Sequence, residues 1–431
     1  MRRVEERTSA SRILTLSWEY PPHKVGGLAE HVYELSKALT RKGQEVHVVT
    51  LGTFPYEGIG GVCLHGIAID TSRPDFISRM NEEMKKLGAS IIEAPDTDRD
   101  IIIHAHDWMV SSAAIDLAFE YQKPLVSTIH STEFGRSQGI KEGYQMRIHE
   151  LEDRLVGLSG HVIVCSESMR REIQSLFGVT EKISVIPNGV DASKFDFSLD
   201  SAALKERFCG SKGSTMIVFI GRLVYQKGIN VLIGAMPRIL GSCSRAHGDV
   251  KLLIVGEGPM RPQLERDAVY LGVSNHVVFT GYLDDYTVRS LLKAADVVVL
   301  PSLYEPFGIV ALEAMAARTP VVASDVGGLS ELLGNGEGIK VPPDNSESLA
   351  DIIINILCVD DERRRIEREK MVARGFQKAL SLNWDTIAEA TIEVYARVLA
   401  KTRPIPQPAG WKKPEIGIET KEGEIGRYSY S

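Results

Sequence analysis

Two acids, Glu305 and Glu313, bracket a Pro-Phe-Gly and the start of an apolar helix in SLYEPFGIVALEAMA. An acid ahead of a helix can complement the helix dipole. In a closed site the same carboxylate faces developing positive charge, and an acid on the helix accepts from sugar hydroxyls. A buried acid without such partners is costly. The backbone N–H groups at Phe307, Gly308 and Ile309 offer donors to a phosphate. One ligand answers both acids and the amides: a nucleotide carrying a sugar.

Three other loops carry reactive residue types. In FIGRLVYQKG, Arg222 follows a strand-like run and Lys227 precedes a helix. Two cations there form an anion clamp suited to a departing diphosphate; the alternative is a pair of solvated charges. In WEYPPHKVGGLAEHVYEL, Gly26 and Gly27 let a ligand approach the backbone and Lys24 adds a cation. The alternative is a plain turn with a helix start. In IIIHAHDW, His104 and His106 share one face of a strand, as metal ligands or as packed rings. Packing is preferred for His104. Asp107, at the strand tip, is the better functional candidate, and His130, closing PLVSTIH, is placed to sit beside it. The PDTDRD stretch at 95–100 has the Asp-x-Asp pattern of metal sites. It precedes a strand, opposite the expected site, so it reads as a solvated loop and no metal is expected. No GxGxxG and no GxxxxGK[ST] occurs, which removes support for a dinucleotide fingerprint and for a P-loop.

The elements that must hold these loops follow a simple alternation. RILTLSW, AEHVYELSKALTRKG and EVHVVTLG read as strand, helix, strand. The pattern repeats through IIIHAHDW, SSAAIDLAFEYQK and PLVSTIH, and through HVIVCS, ESMRREIQSLFG and KISVIPN. Strands apolar throughout suit a parallel sheet covered on both faces. After Pro187-Asn188-Gly189 the pattern pauses over 191–213, then restarts with TMIVFIGRL, KLLIVGEG, HVVFTGYL, DVVVLPS and PVVASDV separated by helices. The expectation is an α/β chain of two Rossmann-like, doubly wound parallel-sheet domains, 12–195 and 196–378, facing a cleft. Residues 1–11 and 402–431 read as tails. The segment 379–401 carries a helix with no strand after it, expected to cross back to the first domain. In such sheets chemistry lies in the loops after strands.

Composition narrows the class. A chain of 431 residues exceeds one hydrophobic core. A net charge of −7 argues against a nucleic-acid partner. Five scattered cysteines without CxxC spacing imply reduced thiols and a cytoplasmic protein. There is no apolar run long enough for a membrane span. No oligomeric state is specified.

Taken together, these loops resemble the retaining glycosyltransferases of the GT-B fold, in the family-4 and family-5 groups that include glycogen and starch synthases. KVGGL is similar to the glycogen synthase KxGGL loop, and HAHDW, TIH, GRLVYQKG and YEPFGIVALEAMA follow in the same order over residues 12–400. STEFGRSQG and the presence of Glu313 resemble family 4. The resemblance implies ADP-glucose or UDP-glucose as donor, no cofactor or metal, and a glucan or small-sugar acceptor. It implies that Arg222 and Lys227 hold the donor diphosphate, with Lys24 and the Gly26 and Gly27 amides completing the phosphate site. Glu305 lies by the transferred sugar, Glu313 binds ribose, His130 contacts the sugar near its 6-hydroxyl, and Asp107 lies near the reacting centre. Ser131, Thr132 and Arg136 are candidates for acceptor contact. Two rival readings are kept: a sugar or sugar-phosphate acceptor, giving maltose-1-phosphate, sucrose phosphate or trehalose, and a nucleotide-sugar 2-epimerase, which shares the architecture.

Overall fold

Strands that are apolar on both faces are stable only between two helix layers, and both sheets of this chain are of that kind. The computed structural model describes residues 11–54, 60–95, 99–141, 143–243, 249–358 and 361–401. The expected tails, apart from Ser11, and the centre of PDTDRD lie outside the described residues. The chain divides into two units. One comprises residues up to Ile186 together with Trp384 onward; the other is Pro187–Asn383.

Among the described residues, the first unit contains β1 (Arg12–Leu16), β2 (Glu45–Leu51), β3 (Cys63–Ile67), β4 (Ile101–His106), β5 (Leu125–Ile129), β6 (His161–Val164) and β7 (Ile183–Val185). They form one sheet in the order β3-β2-β1-β4-β5-β6-β7 with parallel pairing throughout. The second unit contains β8 (Thr215–Ile220), β9 (Val250–Val255), β10 (Val277–Gly281), β11 (Val297–Leu300), β12 (Val321–Ser324) and β13 (Ile339–Val341). Their order is β10-β9-β8-β11-β12-β13, again parallel. Each sheet reverses direction of strand addition once, between β1 and β4 and between β8 and β11. Such switch points open a crevice at the carboxyl ends of the strands. The loops singled out in the sequence leave from β1, β4 and β5 in one unit and from β8 and β11 in the other.

Helix Trp384–Ala400 belongs to the first unit and packs on helix Gly27–Arg41. Arg41 meets Asp385 at 2.5 Å and Lys42 meets Glu389 at 2.6 Å, both on the surface. The buried Tyr395 hydroxyl reaches His104 Nδ1 at 2.7 Å. The unit boundary falls at 186/187 rather than at 195/196, because the segment after Pro187 is tied into the second unit. The Val190 N–H donates to the Leu382 carbonyl, and Lys293 donates to the Phe195 and Phe197 carbonyls.

The pause over 191–213 holds structure the periodicity did not show. Helix Ser201–Cys209 is capped by the Asp200 carboxylate, which accepts from the Ala203 N–H. It buries only Cys209, so its sequence lacks an apolar stripe. Helix Glu362–Ser381 is equally faint, with Met371, Gly375 and Ala379 as its buried positions in a run dense in charge. The expectation of reduced thiols is corrected: Cys243 and Cys358 are joined in a disulfide, with Cα atoms 5.5 Å apart. Their 115-residue separation hid the pairing, which arises because helices Ile229–Cys243 and Ser346–Leu357 end side by side. Cys63, Cys165 and Cys209 take no part in that disulfide. No helix among the described residues is long and apolar enough to cross a membrane.

Candidate active site

In the second unit, the site is built by backbone stacked on backbone. The loop after β8 passes through Arg222 into a 3-10 turn, Tyr225–Lys227, ahead of helix Ile229–Cys243. Gly228 ends that turn at φ +61°, and a Cβ there would stand 2.0 Å from the Pro301 carbonyl oxygen. Only glycine permits this approach. The Gln226 carbonyl accepts from the Leu303 N–H at 2.8 Å, fastening the β8 loop to the β11 loop. As a result Lys227 Nζ lies 2.6 Å from Glu305 Oε2, which also accepts from Ser302 Oγ at 3.2 Å. The loop after β12 locks the far side. The Gly328 N–H donates to the Glu305 carbonyl, and at Gly327 (φ +46°) a Cβ would lie 2.3 Å from that oxygen. Gly308 opens helix Ile309–Ala316, Phe307 is buried, and Glu313 sits half-buried just past the first turn of that helix.

In the first unit, buried acids hold the loops instead. Glu19, buried after β1, accepts the Val25 N–H at 2.8 Å and the Gly26 N–H at 2.9 Å. The Gly26 amide, expected to face phosphate, is therefore engaged by Glu19. The space where a Gly26 Cβ would lie is open, with no protein atom within 4 Å. Lys24 Nζ pairs with Glu30 at 3.0 Å.

Asp107 follows β4 with φ 61° and ψ 176°, a conformation costly for a residue with a side chain. Its carboxylate accepts the His130 N–H at 2.7 Å and is also bonded by the Ser131 amide. Burial raises its pKa to about 6, against the opposing pull of Arg136 and the two amides. Asp107 thus holds the backbone of the loop that carries His130. His104 is a packed ring, bonded to Tyr395 and to Thr128 Oγ1 at 2.7 Å each. His106 Nδ1 lies 3.2 Å from His130 Nε2, and burial lowers the His130 pKa to about 3, so its ring is neutral.

Arg136 and Thr132, named as candidates for acceptor contact, are bonded within the loop itself, while His31 and Gly327-Gly328 were missed by sequence reasoning. Arg136 donates to the Ser131 carbonyl and hydroxyl and to Glu133 and Glu152, so it braces the loop from beneath. Thr132 is fully buried and caps helix Glu133–Ser137, accepting from Gly135. His31, on helix Gly27–Arg41, faces His106 and His130 with ring centres 5.4 and 4.6 Å away. A histidine on an apolar helix face gives no sequence signal. Gly327-Gly328 carried one: a glycine pair after a strand.

The geometry is of one strand-tip cluster in each unit: in the second an ion pair on a glycine-locked frame, in the first a neutral histidine on an acid-braced loop. Residues 25–194 match the family model described as Glycosyltransferase Family 4, and residues 204–372 the model described as Glycosyl transferases group 1. An uncharacterised glycosyltransferase of Methanocaldococcus jannaschii is 42% identical over 398 residues, covering 89% of this chain and 97% of that protein. A glycogen synthase of Mycobacterium tuberculosis is 39% identical over 411 residues, covering 89% and 94%. The solved structure of Anabaena HepE in complex with UDP-glucose shares the fold, with a TM-score of 0.71 at 21% identity over 90% of this chain and 99% of that one. On the matched blocks, the relatives and the sheet order together, the chain belongs to the GT-B glycosyltransferases of the family 4 and 5 group.

Proposed function

We propose that this chain transfers an α-glucosyl unit from a nucleoside diphosphate glucose, ADP-glucose or UDP-glucose, to a hydroxyl of a glucan, with the anomeric configuration retained. The observation that carries the reading is the Lys227–Glu305 pair at 2.6 Å. One partner matches the charge of a departing diphosphate, and the other matches the positive character left on the sugar. Breaking the anomeric C–O bond passes through an oxocarbenium-like state. Charges fixed before the reaction stabilise that state without reorganising. Arg222 and Lys227, with the amides at Phe307, Gly308 and Ile309, take the diphosphate, and Glu313 the ribose. Lys24 and the Gly27 amide add to the phosphate site. His130, neutral, bonds the sugar hydroxyl, and Asp107 positions it. No metal is required, because the cations hold the leaving charge. The glycogen synthase relative supports a glucan as the acceptor.

The test is a matrix of ADP-glucose and UDP-glucose against glycogen, maltose, glucose-1-phosphate and glucose-6-phosphate, scored by nucleotide release and product mass. Release that requires glycogen or maltose, with α-linked product, is expected. Release with a sugar phosphate alone moves the acceptor class. Conversion of donor without any acceptor identifies an epimerase and overturns the reading.

A further inference from the structure

We propose that His31, His106 and His130 form a transition-metal site that takes Zn²⁺ and shuts off transfer while it is occupied. The three rings come from three elements of the first unit: helix Gly27–Arg41, the end of β4 and the loop after β5. One ring nitrogen from each lies within 4.8 Å of the others. In a tetrahedral zinc site, bonds of about 2.0–2.1 Å set the ligand nitrogens about 3.4 Å apart. The His106 Nδ1 to His130 Nε2 edge is already 3.2 Å. No edge exceeds 4.8 Å, so none has to close by more than about 1.4 Å to reach that spacing.

The surroundings favour imidazole ligation. Imidazole ligates in its neutral form, and the three rings lie together inside the unit. His104 packs on His106 with ring centres 4.3 Å apart, and Trp384 on His31 at 5.5 Å, so the rings are supported from behind. His104 is committed to Tyr395 and Thr128 and stays outside the cluster. Three nitrogen ligands without a carboxylate suit Zn²⁺, Co²⁺ or Cu²⁺ and give Mg²⁺ or Ca²⁺ little. A three-histidine set leaves a fourth position for water. Zinc ties up the His130 ring that the transfer reading gives to the sugar, and here the inhibitory half rests on that reading. Metal binding itself does not.

The experiment uses the full chain stripped with a chelator. Zn²⁺ alone is titrated by calorimetry, and Co²⁺ by visible absorption. One equivalent is expected to bind, with the intense bands of tetrahedral, nitrogen-ligated cobalt. His31→Gln and His106→Gln are expected to weaken binding at least ~10-fold with unchanged circular dichroism. The ratio of transfer rate in zinc to rate in chelator, taken for each variant, is expected to be low in the unaltered chain and near unity in both variants. No zinc uptake, weak octahedral cobalt bands, or unchanged affinity in both variants overturns the site. The cobalt spectrum of the unaltered chain decides the point even where a variant fails to fold. Zinc bound as described without loss of rate overturns the inhibition. A chain that binds zinc yet transfers no sugar refutes the transferase reading and leaves the site standing.

Discussion

Glu152 offers the sharpest physical test of the first unit. Its side chain is about 1% exposed, and one oxygen, Oε1, accepts from the Glu133 N–H at 2.8 Å and from Arg136 at 3.1 Å. The other, Oε2, is buried without a hydrogen-bond partner. Arg136 brings one positive charge to Glu133, Glu152 and Asp107. Burial therefore dominates, and the Glu152 pKa rises from the ordinary 4.5 to about 8. A raised pKa means that the folded chain keeps a proton that the unfolded chain releases. The stability tied to this group is full below about pH 4.5 and is lost as pH rises through about 8. At 1.36 kcal/mol per pKa unit the whole loss is about 5 kcal/mol, of which roughly 3 has gone by pH 7.

Glu152→Gln keeps the shape of the protonated acid and removes the titration. The variant should match the wild type near pH 5 and resist heat better at pH 8 and above. Two units need not unfold together, so the decisive assay is infrared. The wild-type minus Glu152→Gln spectrum at pH 6 should contain a protonated-carboxyl band that fades above pH 8. Absence of that band, or its persistence at pH 9.5, would refute the burial argument.

Lys227→Ala should cost about 10²–10³ in transfer rate, read from initial velocities, with the fold intact; a near-normal rate removes the clamp. Glu305→Ala should lose transfer while calorimetry still detects nucleotide binding, and loss of affinity alone would reassign Glu305 to binding. Of the five cysteines, three should react with thiol reagent in the denatured, unreduced chain. Cys358→Ser should lower the melting of the second unit, with a ceiling of about 5 kcal/mol for the 115-residue separation; five reactive thiols would dismiss the bridge.

The strands were legible because doubly covered strands leave continuous β-branched runs. The loop residues were legible because each follows such a run. What the sequence withheld was adjacency. Lys227 and Glu305 are far apart in the chain and were read as parts of separate contacts. They meet because the switch in strand order sets β8 beside β11. Asp107 was legible as a strand-tip acid but not as an anchor, since its partners are backbone N–H groups, which no side-chain pattern reports. His31 was invisible for the reason that makes it interesting: it points inward from a helix whose buried face is built mostly of Leu, Val and Ala.

The clusters in the two units are made rigid by different means, and the difference has consequences. Lys227 and Glu305 are aligned by chain crossings at Gly228 and Gly327 that leave no room for a side chain. Adding a methyl group at either glycine disturbs the alignment whatever the pH. His130 is aligned by acids that accept backbone amides, Asp107 from its own loop and Glu152 through the start of the next helix. Both acids are raised by burial into the range where proteins work, to about 6 and about 8. Protonation leaves a carbonyl oxygen to accept the amide, whereas ionisation places added negative charge around a single guanidinium. The first unit's frame is therefore electrically strained on the alkaline side, and that strain falls on the loop holding His130, in the unit to which the transfer reading assigns recognition of the sugar.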